Sequence, residues 1–195
     1  MTFYMELDLP ANEENLSPNP TITFSKEEQD IIEEYHQVLP VWKFSMLCFL
    51  SFSLYLIYWW YKNWYFIKEM EEREEIMPIW RSIFVIFFGY ELNKNVLGRA
   101  KSVGYEQSYS PGWLFVAFLL ISLLSNLPDP MWLISLVSFV PMIPVLQARN
   151  YFFRKANPQG KTSSAFSGGE IVVVVLGAIF FVLVLIGLAV GDATY

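Results

Sequence analysis

The stretch YLIYWWYKNWYFIKE, from Tyr55 to Glu69, places eight aromatic rings and two lysines within fifteen residues. It is compatible with a recognition surface, with a platform on which nucleic-acid bases stack, or with the end of a membrane helix. The uncharged run of residues 44–61 that leads into it favours the membrane helix, because Trp and Tyr prefer the boundary between hydrocarbon and water. We therefore predict a membrane-interface anchor formed by Trp59, Trp60, Lys62, Trp64 and Lys68.

The composition supports a membrane protein. The chain is 54% hydrophobic and 16% charged, with a mean hydropathy of +0.36. Soluble domains carry about 45–50% apolar and about 25% charged residues. Here the apolar residues also lie in blocks, and blocks are the pattern that a bilayer selects.

Five apolar segments define a predicted helical membrane domain at residues 41–191. They cover residues 44–61, 76–90, 112–127, 131–148 and 171–191. A helix needs about 20 residues to cross about 30 Å of hydrocarbon. The first, fourth and fifth segments are long enough, and the third can extend through Ser110 and Pro111. We predict an all-α integral membrane protein, a bundle of four or five transmembrane helices, with residues 192–195 as a C-terminal tail.

Residues 1–40 read as an acidic N-terminal tail that ends in a short amphipathic helix. Ser25 and Glu28 have the spacing of a capping box, and Pro40 ends the helix. Such an arm repels nucleic acid, and the five glutamates of EMEEREE, residues 69–75, cancel the lysines of the aromatic stretch, so no nucleic-acid partner is predicted. The helix carries an apolar stripe that could dock another membrane or cytoplasmic protein: Ile31, Ile32, Tyr35 and Val38.

The topology depends on whether residues 76–90 span the bilayer or lie in the interface. If they lie in the interface, eleven of the thirteen Lys and Arg share the cytoplasmic side and the N-terminus is outside. If they span, nine share the cytoplasmic side together with the N-terminus. Export of an acidic tail of forty residues without a signal peptide is the harder event. We therefore favour five spans, with the N-terminus on the cytoplasmic side and the C-terminus on the opposite side.

Polar and kinking residues within the apolar segments are the candidates for a site. Arg81, Glu91, Ser135 and Ser138 are the intramembrane polar candidates. On one straight helix Arg81 and Glu91 are about 15 Å apart along the axis and about 80° from alignment, so they are not expected to pair. Pro141 and Pro144 are predicted to kink the fourth helix.

No sequence motif indicates catalysis. The chain has no P-loop, GxSxG, CxxC or HxxxH pattern, and Cys48 is its single cysteine. We predict no catalytic residue, no cofactor and no metal site. The stretch AFSGGE, residues 165–170, is instead expected to cap the last helix with Glu170 at its start.

Four stretches together resemble an uncharacterised family of small bacterial inner-membrane proteins: FSLYLIYWWYKNWYFIKE, MPIWRSIFVIFFGYEL, LPDPMWLISLVSFVPMIPV and AFSGGEIVVVVLGAIFFVLVLIG. The resemblance covers about residues 38–191 and carries Y-W-x-Y-[KR]-N-W, P-x-W-R and P-D-P-x-W-L motifs. The chain departs from it in its second tryptophan, Trp60, and in Gly168–Gly169, where similar sequences favour Gly-Trp. The resemblance implies an inner-membrane location and brings no known activity.

Two functions follow as hypotheses, and an enzyme that acts on lipid substrates stays open as a third, without residues to nominate for it. The first is a non-enzymatic accessory or interaction protein that uses the stripe on the N-terminal helix. The alternative is a small transporter, channel or lipid-binding protein with a cavity near Pro141 and Pro144, lined by Ser135, Ser138 and Arg81. In both cases the lipid bilayer is the first partner.

Overall fold

The chain folds into α-helices connected by short turns. The computed structural model describes residues 24–128 and 130–192, and these contain eight α-helices: α1 (Lys26–Glu34), α2 (Val41–Leu50), α3 (Leu54–Met70), α4 (Pro78–Ile83), α5 (Val85–Ser102), α6 (Pro111–Leu123), α7 (Ile143–Ala156) and α8 (Gly168–Asp192). Three short 3₁₀ helices cover Leu124–Asn126, Met131–Val137 and Val140–Met142. Within these ranges the only β pairing is a single bridge between Val38 and Thr162. The all-α prediction is confirmed. The predicted tails at residues 1–23 and 193–195 lie outside the described residues.

The first predicted segment, residues 44–61, is two helices joined by a tight turn. Phe52 and Ser53 have φ values of 53° and 65°, a left-handed conformation that ends α2 at Leu50. The ten residues of α2 are about 15 Å long, half the thickness of the hydrocarbon core. The prediction of one straight span here is wrong, because the chain reverses at the turn and α3 packs back on α2.

The polar groups of this turn are satisfied inside the protein. The Ser51 hydroxyl donates to the carbonyl of Cys48 at 3.3 Å and accepts from the N–H of Tyr55 at 2.9 Å. The hydroxyls of Ser53 and Ser138 lie 3.0 Å apart. An irregular turn that is packed against other helices needs such internal partners.

The second predicted segment, residues 76–90, is also broken. Phe84, with φ −88° and ψ 45°, separates α4 from α5, and α5 continues to Ser102. Helix α4 packs on α3, whereas α5 packs on α6 and α7. The bend brings Arg81 Nη1 to 3.0 Å from Glu91 Oε2. The expectation that these side chains cannot pair is wrong, because it assumed a straight helix.

The prolines of the fourth segment begin helices. Pro141 lies in the first turn of the 3₁₀ helix Val140–Met142, and Pro144 lies in the first turn of α7. A proline is tolerated there because its missing N–H would have no helical partner. The predicted kink inside an α-helix is replaced by a change from 3₁₀ to α geometry. By length and composition, two helical stretches of the described chain could cross a membrane: Met131–Ala156 and Gly168–Leu188.

The three tryptophans of the aromatic stretch form the core. Trp59, Trp60 and Trp64 are each at most 2% exposed. The Trp59 ring lies 5.5 Å from Phe44, and the Trp60 ring lies 5.2 Å from Phe118. The prediction that these rings anchor the protein at the membrane surface is wrong, because they face the neighbouring helices. The two lysines in that prediction, Lys62 and Lys68, are half-buried. Lys68 Nζ lies 2.9 Å from Glu74 Oε2 and forms an ion pair with it.

Helix α8 runs beside α2 in the same direction and leaves most of its surface uncovered. Phe181 and Phe180 contact Phe49 and Phe52 with ring distances of 5.3 and 5.1 Å. Gly177 allows the close approach, since a Cβ there would overlap the carbonyl oxygen of Leu50. Ten large hydrophobic side chains of α8 are at least half exposed: Ile171, Val172, Val175, Leu176, Ile179, Phe180, Val182, Leu183, Leu185 and Ile186.

The basic residues gather at the opposite end of the bundle from the turn at Phe52. No Lys or Arg falls within residues 44–61, 82–93, 102–148 or 162–195. The stretches that carry them contact one another: Phe66 packs on Phe153 with a ring distance of 5.0 Å, and Arg99 lies 5.5 Å from the Phe66 ring. Helix α1 covers this end, and its predicted capping box is present, with Glu28 N donating to Ser25 Oγ at 3.1 Å.

Candidate functional site

A groove opens between the turn at residues 51–53 and helix α8. It encloses about 900 Å³, within the range of ligand pockets in proteins. Its flanks are apolar and are formed by Leu50, Phe52, Leu54, Val173, Leu176, Gly177 and Phe180. One end is polar and is formed by Gln37, Tyr55, Tyr58, Ser163, Ser167 and Glu170. This division suits an amphiphile with an apolar tail and a polar head.

A buried ion pair lies behind the polar end. Lys43 Nζ is 2.9 Å from Glu170 Oε2, and Lys43 is fully buried. The same ammonium group donates to the carbonyls of Ser163 and Ala165 at 3.1 and 2.7 Å. All three of its protons are therefore used. Lys43 holds α2, the loop before α8 and the start of α8 together, and it has no donor left for a ligand.

Glu170 also completes the cap of α8. The N–H of Ser167 donates to Glu170 Oε2 at 2.7 Å, and the N–H of Glu170 donates to Ser167 Oγ at 3.4 Å. This reciprocal arrangement is a capping box, so the prediction that AFSGGE caps the last helix is confirmed. The other oxygen, Oε1, receives one long bond of 3.5 Å from the Tyr55 hydroxyl. It is the acceptor that the groove can offer a ligand.

A second, polar cavity adjoins the groove. It encloses about 450 Å³, and Gln37 and Tyr58 line both spaces. Its other lining residues are Glu34, Tyr35, His36, Tyr61, Lys62 and Tyr65. Among the residues that the structure describes, no carboxylate lies within ion-pairing distance of the Lys62 ammonium. Lys62 is the one Lys or Arg among these lining residues, and it has no ion-pair partner there.

His36 borders this second cavity as a neutral ring. It packs edge-on against Phe153 with a centroid distance of 5.7 Å, and Gly160 covers it so closely that a Cβ would overlap the ring. Burial lowers the pKa of His36 below its usual value, and the positive charge of Arg149 lowers it further, although the backbone of Gly160 and Lys161 acts in the opposite direction. The imidazole therefore adds no charge to the cavity at pH 7.

Arg149 fixes the segment that joins the two cavities. It is 4% exposed, donates to Asn63 Oδ1 at 2.6 Å and to the carbonyl of Gln37, and lies 4.6 Å from the Phe153 ring. The next residue, Asn150, exchanges hydrogen bonds of 3.0 and 2.7 Å with the backbone of Leu39. From the sequence, Arg149 was counted only among the basic residues of the loop at residues 149–170. Its position at the end of an apolar run was the one sequence signal that it could be buried.

The predicted intramembrane polar residues do not line the groove. Arg81 lies 4.6 Å from the Trp64 ring and pairs with Glu91, while Arg73 and Arg99 pair with Glu71 at 3.3 and 2.9 Å. The Arg99–Glu71 pair ties the turn after α3 to α5, and the Arg81–Glu91 pair ties α4 to α5. Ser138 bonds Ser53, and Ser135 donates to the carbonyl of Trp132 at 2.8 Å. Arg81 and the two serines are therefore not brought together.

The predicted docking stripe is covered by the chain itself. Ile32 and Val38 are each 1% exposed and pack with Phe66, Phe152 and Phe153, with Ile31 at the edge of the cluster. The Tyr35 ring stacks on Tyr65 at 5.7 Å. These residues stabilise the polar end of the bundle and are not free for another protein in this structure.

Comparison with protein-family models, with curated proteins and with solved structures gave no match to this chain. The function is therefore argued from the geometry and charge of the two adjoining cavities.

Proposed function

We propose that this chain is a multi-pass protein of a bacterial inner membrane that binds a lipid-like amphiphile in the groove between α8 and the turn that joins α2 to α3. The observation that carries the proposal is the groove itself, which is apolar along its length and polar at the end that meets the basic part of the bundle. A soluble ligand would gain little from such apolar walls. A lipid tail that moves from the bilayer into the groove stays in apolar surroundings and gains van der Waals contacts with the groove walls.

The exposed surface supports a bilayer as the surroundings. About thirty large hydrophobic side chains are exposed, whereas monomeric soluble proteins rarely expose apolar patches above about 300–600 Å². They include the uncovered faces of α6 and α8, with Trp113 at 69% and Leu123 at 64%. Such surfaces are stable in contact with lipid acyl chains, whereas their exposure to water costs free energy.

We propose three complete spans, fewer than the four or five expected above. Two of them are the long apolar stretches Met131–Ala156 and Gly168–Leu188, and the third is the shorter apolar helix Pro111–Asn126, around which the bilayer would have to thin. In the same arrangement α2–α3 and α4–α5 enter the bilayer and return. This arrangement places the N-terminus and all thirteen Lys and Arg in the cytoplasm or at its boundary, and the C-terminus in the periplasm. It satisfies the positive-inside rule better than either arrangement inferred from the sequence.

The length of the groove matches one leaflet. Glu170 at its polar end and Phe180 at its apolar end are ten residues apart on α8, which is about 15 Å along the helix axis. Half of the hydrocarbon core is also about 15 Å. In the proposed topology the groove therefore accepts a lipid from the cytoplasmic leaflet.

Two adjacent glycines provide a matched test of lipid binding. A Cβ added at Gly168 or at Gly169 would meet no atom within 4 Å, yet only Gly169 lines the groove. We expect Gly169→Phe to reduce the lipid retained after purification in mild detergent by about tenfold, and Gly168→Phe to leave it unchanged. Native mass spectrometry of the detergent-released protein measures the retained lipid. Equal retention by the unaltered chain and Gly169→Phe would contradict the proposal.

The hypothesis of an accessory protein stays a prediction, but a partner would have to dock on a surface other than the apolar stripe of α1. The apolar stripe of α1 packs inside the molecule, so a partner would meet only its exposed acidic face, which includes Glu27, Asp30 and Glu33. Charge alone gives a weak and salt-sensitive contact. The groove is the better supported site.

A further inference from the structure

The second cavity has the chemistry to select a lipid head group. It lies next to the polar end of the groove, because Gln37 and Tyr58 line both spaces. Its charged side chains are one cation, Lys62, and one anion, Glu34, since His36 is neutral. Neither Lys62 nor Glu34 forms an ion pair with another residue of the described chain.

We propose, on the basis of the proposed lipid-binding function, that the ligand is a phospholipid whose head group carries both a phosphate and a protonated amine. The phosphate would bind the Lys62 ammonium and neighbouring tyrosine hydroxyls, which are donors. The amine would bind Glu34. Each charge of the head group then meets an opposite charge of the cavity, and the occupied cavity stays neutral.

The tyrosines favour the amine in a second way. Four of them line the cavity, and the Tyr61 and Tyr35 rings lie 5.9 and 5.7 Å from Tyr65. An ammonium group beside aromatic faces gains cation–π attraction. Lys62 is half-buried beside these rings, so its bond to the phosphate is less screened by water than that of a fully exposed lysine.

A head group with only negative charge is disfavoured by the same side chains. The two other nearby cations are already engaged: Lys43 with Glu170 and two carbonyls, and Arg149 with Asn63 and Gln37. A phosphate without an amine would leave Glu34 unpaired beside it and would have Lys62 as its single counter-charge. Discrimination between head groups then comes from repulsion as well as from attraction.

The test is a lipid competition on the full-length chain. The purified protein is equilibrated with an equimolar mixture of phosphatidylethanolamine and phosphatidylglycerol of identical acyl chains, and bound lipid is counted by native mass spectrometry. We expect phosphatidylethanolamine to be preferred by about tenfold. Glu34→Gln should shift binding toward phosphatidylglycerol, and Lys62→Gln should weaken the binding of both lipids.

Two variants control for charge and folding. Asp30→Asn and Lys101→Gln change exposed residues that line neither cavity, and both should keep the preference. Bound lipid that shows no head-group preference, or a preference that survives Glu34→Gln, would overturn the inference and leave the groove function standing. If neither lipid is retained and Gly169→Phe changes nothing, both proposals fail.

Discussion

Replacing Lys43 with methionine is expected to lower the free energy of unfolding by about 3–5 kcal/mol, because it leaves the Glu170 carboxylate buried without its counter-charge. The pair lies 2.9 Å apart, with the lysine side chain fully buried and the glutamate side chain 10% exposed. The substitution also leaves the carbonyls of Ser163 and Ala165 without their shared donor. Thermal unfolding followed by tryptophan fluorescence, in the same detergent throughout, measures the loss.

A double variant separates the ion pair from packing. Lys43→Met combined with Glu170→Leu removes both charges, and such replacements of a buried pair are often neutral. We expect it to recover a large part of the lost stability, although the capping box at Ser167 is also lost at about 0.5–2 kcal/mol. Lys26→Met, on the exposed face of α1, is the control and should be neutral. A Lys43→Met chain as stable as the unaltered one would show that Lys43 is not buried in this pair.

Trp64→Ala is expected to destabilise the fold by a similar amount, about 3–5 kcal/mol, because it opens a cavity in the core. The ring is fully buried, lies 6.4 Å from Phe88 and carries the Arg81 guanidinium at 4.6 Å. If Trp64 were a surface anchor, its loss would change membrane depth and leave the unfolding midpoint nearly unchanged. Chemical denaturation in detergent distinguishes a core residue from an anchor.

Trp113→Ala is the matched control for Trp64→Ala. Trp113 is 69% exposed and begins α6 on the outer surface of the bundle. Its removal deletes the same ring without a buried cavity, so we expect a midpoint close to that of the unaltered chain. Equal losses for the two variants would contradict the assignment of Trp64 to the core.

The apolar blocks predicted the helical class and the positions of the helices, but not where the helices break. Capping boxes at Ser25 and Ser167 follow from local spacing, and both are present. The breaks at Phe52–Ser53 and at Phe84 carry no glycine or proline. Serine and phenylalanine rarely signal a chain reversal in a sequence. Here the first turn is held by tertiary contacts such as the hydrogen bond between Ser53 and Ser138, which a local sequence pattern does not specify.

The candidate site could not be predicted from the sequence either, because it also depends on tertiary contacts. Lys43 and Glu170 were each visible in the sequence as a charge next to an apolar segment, but 127 positions separate them. Their pairing depends on α2 and α8 running side by side, which local patterns do not specify. Arg81 and Glu91, in contrast, were recognised as a candidate pair and rejected only because the helix was taken as straight.

In the proposed topology the first two apolar segments return to the cytoplasmic side, so that the groove faces the cytoplasmic leaflet. The turn after α3 decides this, and the Glu74 side chain in it is 90% exposed. In a Cys48→Ala background, a cysteine at Glu74 is treated with a membrane-impermeant maleimide, with a cysteine at Ser125 as the periplasmic control. We expect Glu74→Cys to react in inside-out vesicles and not in spheroplasts, and Ser125→Cys to show the reverse. Reaction of Glu74→Cys in spheroplasts would place the turn outside, restore five spans and contradict the proposed topology.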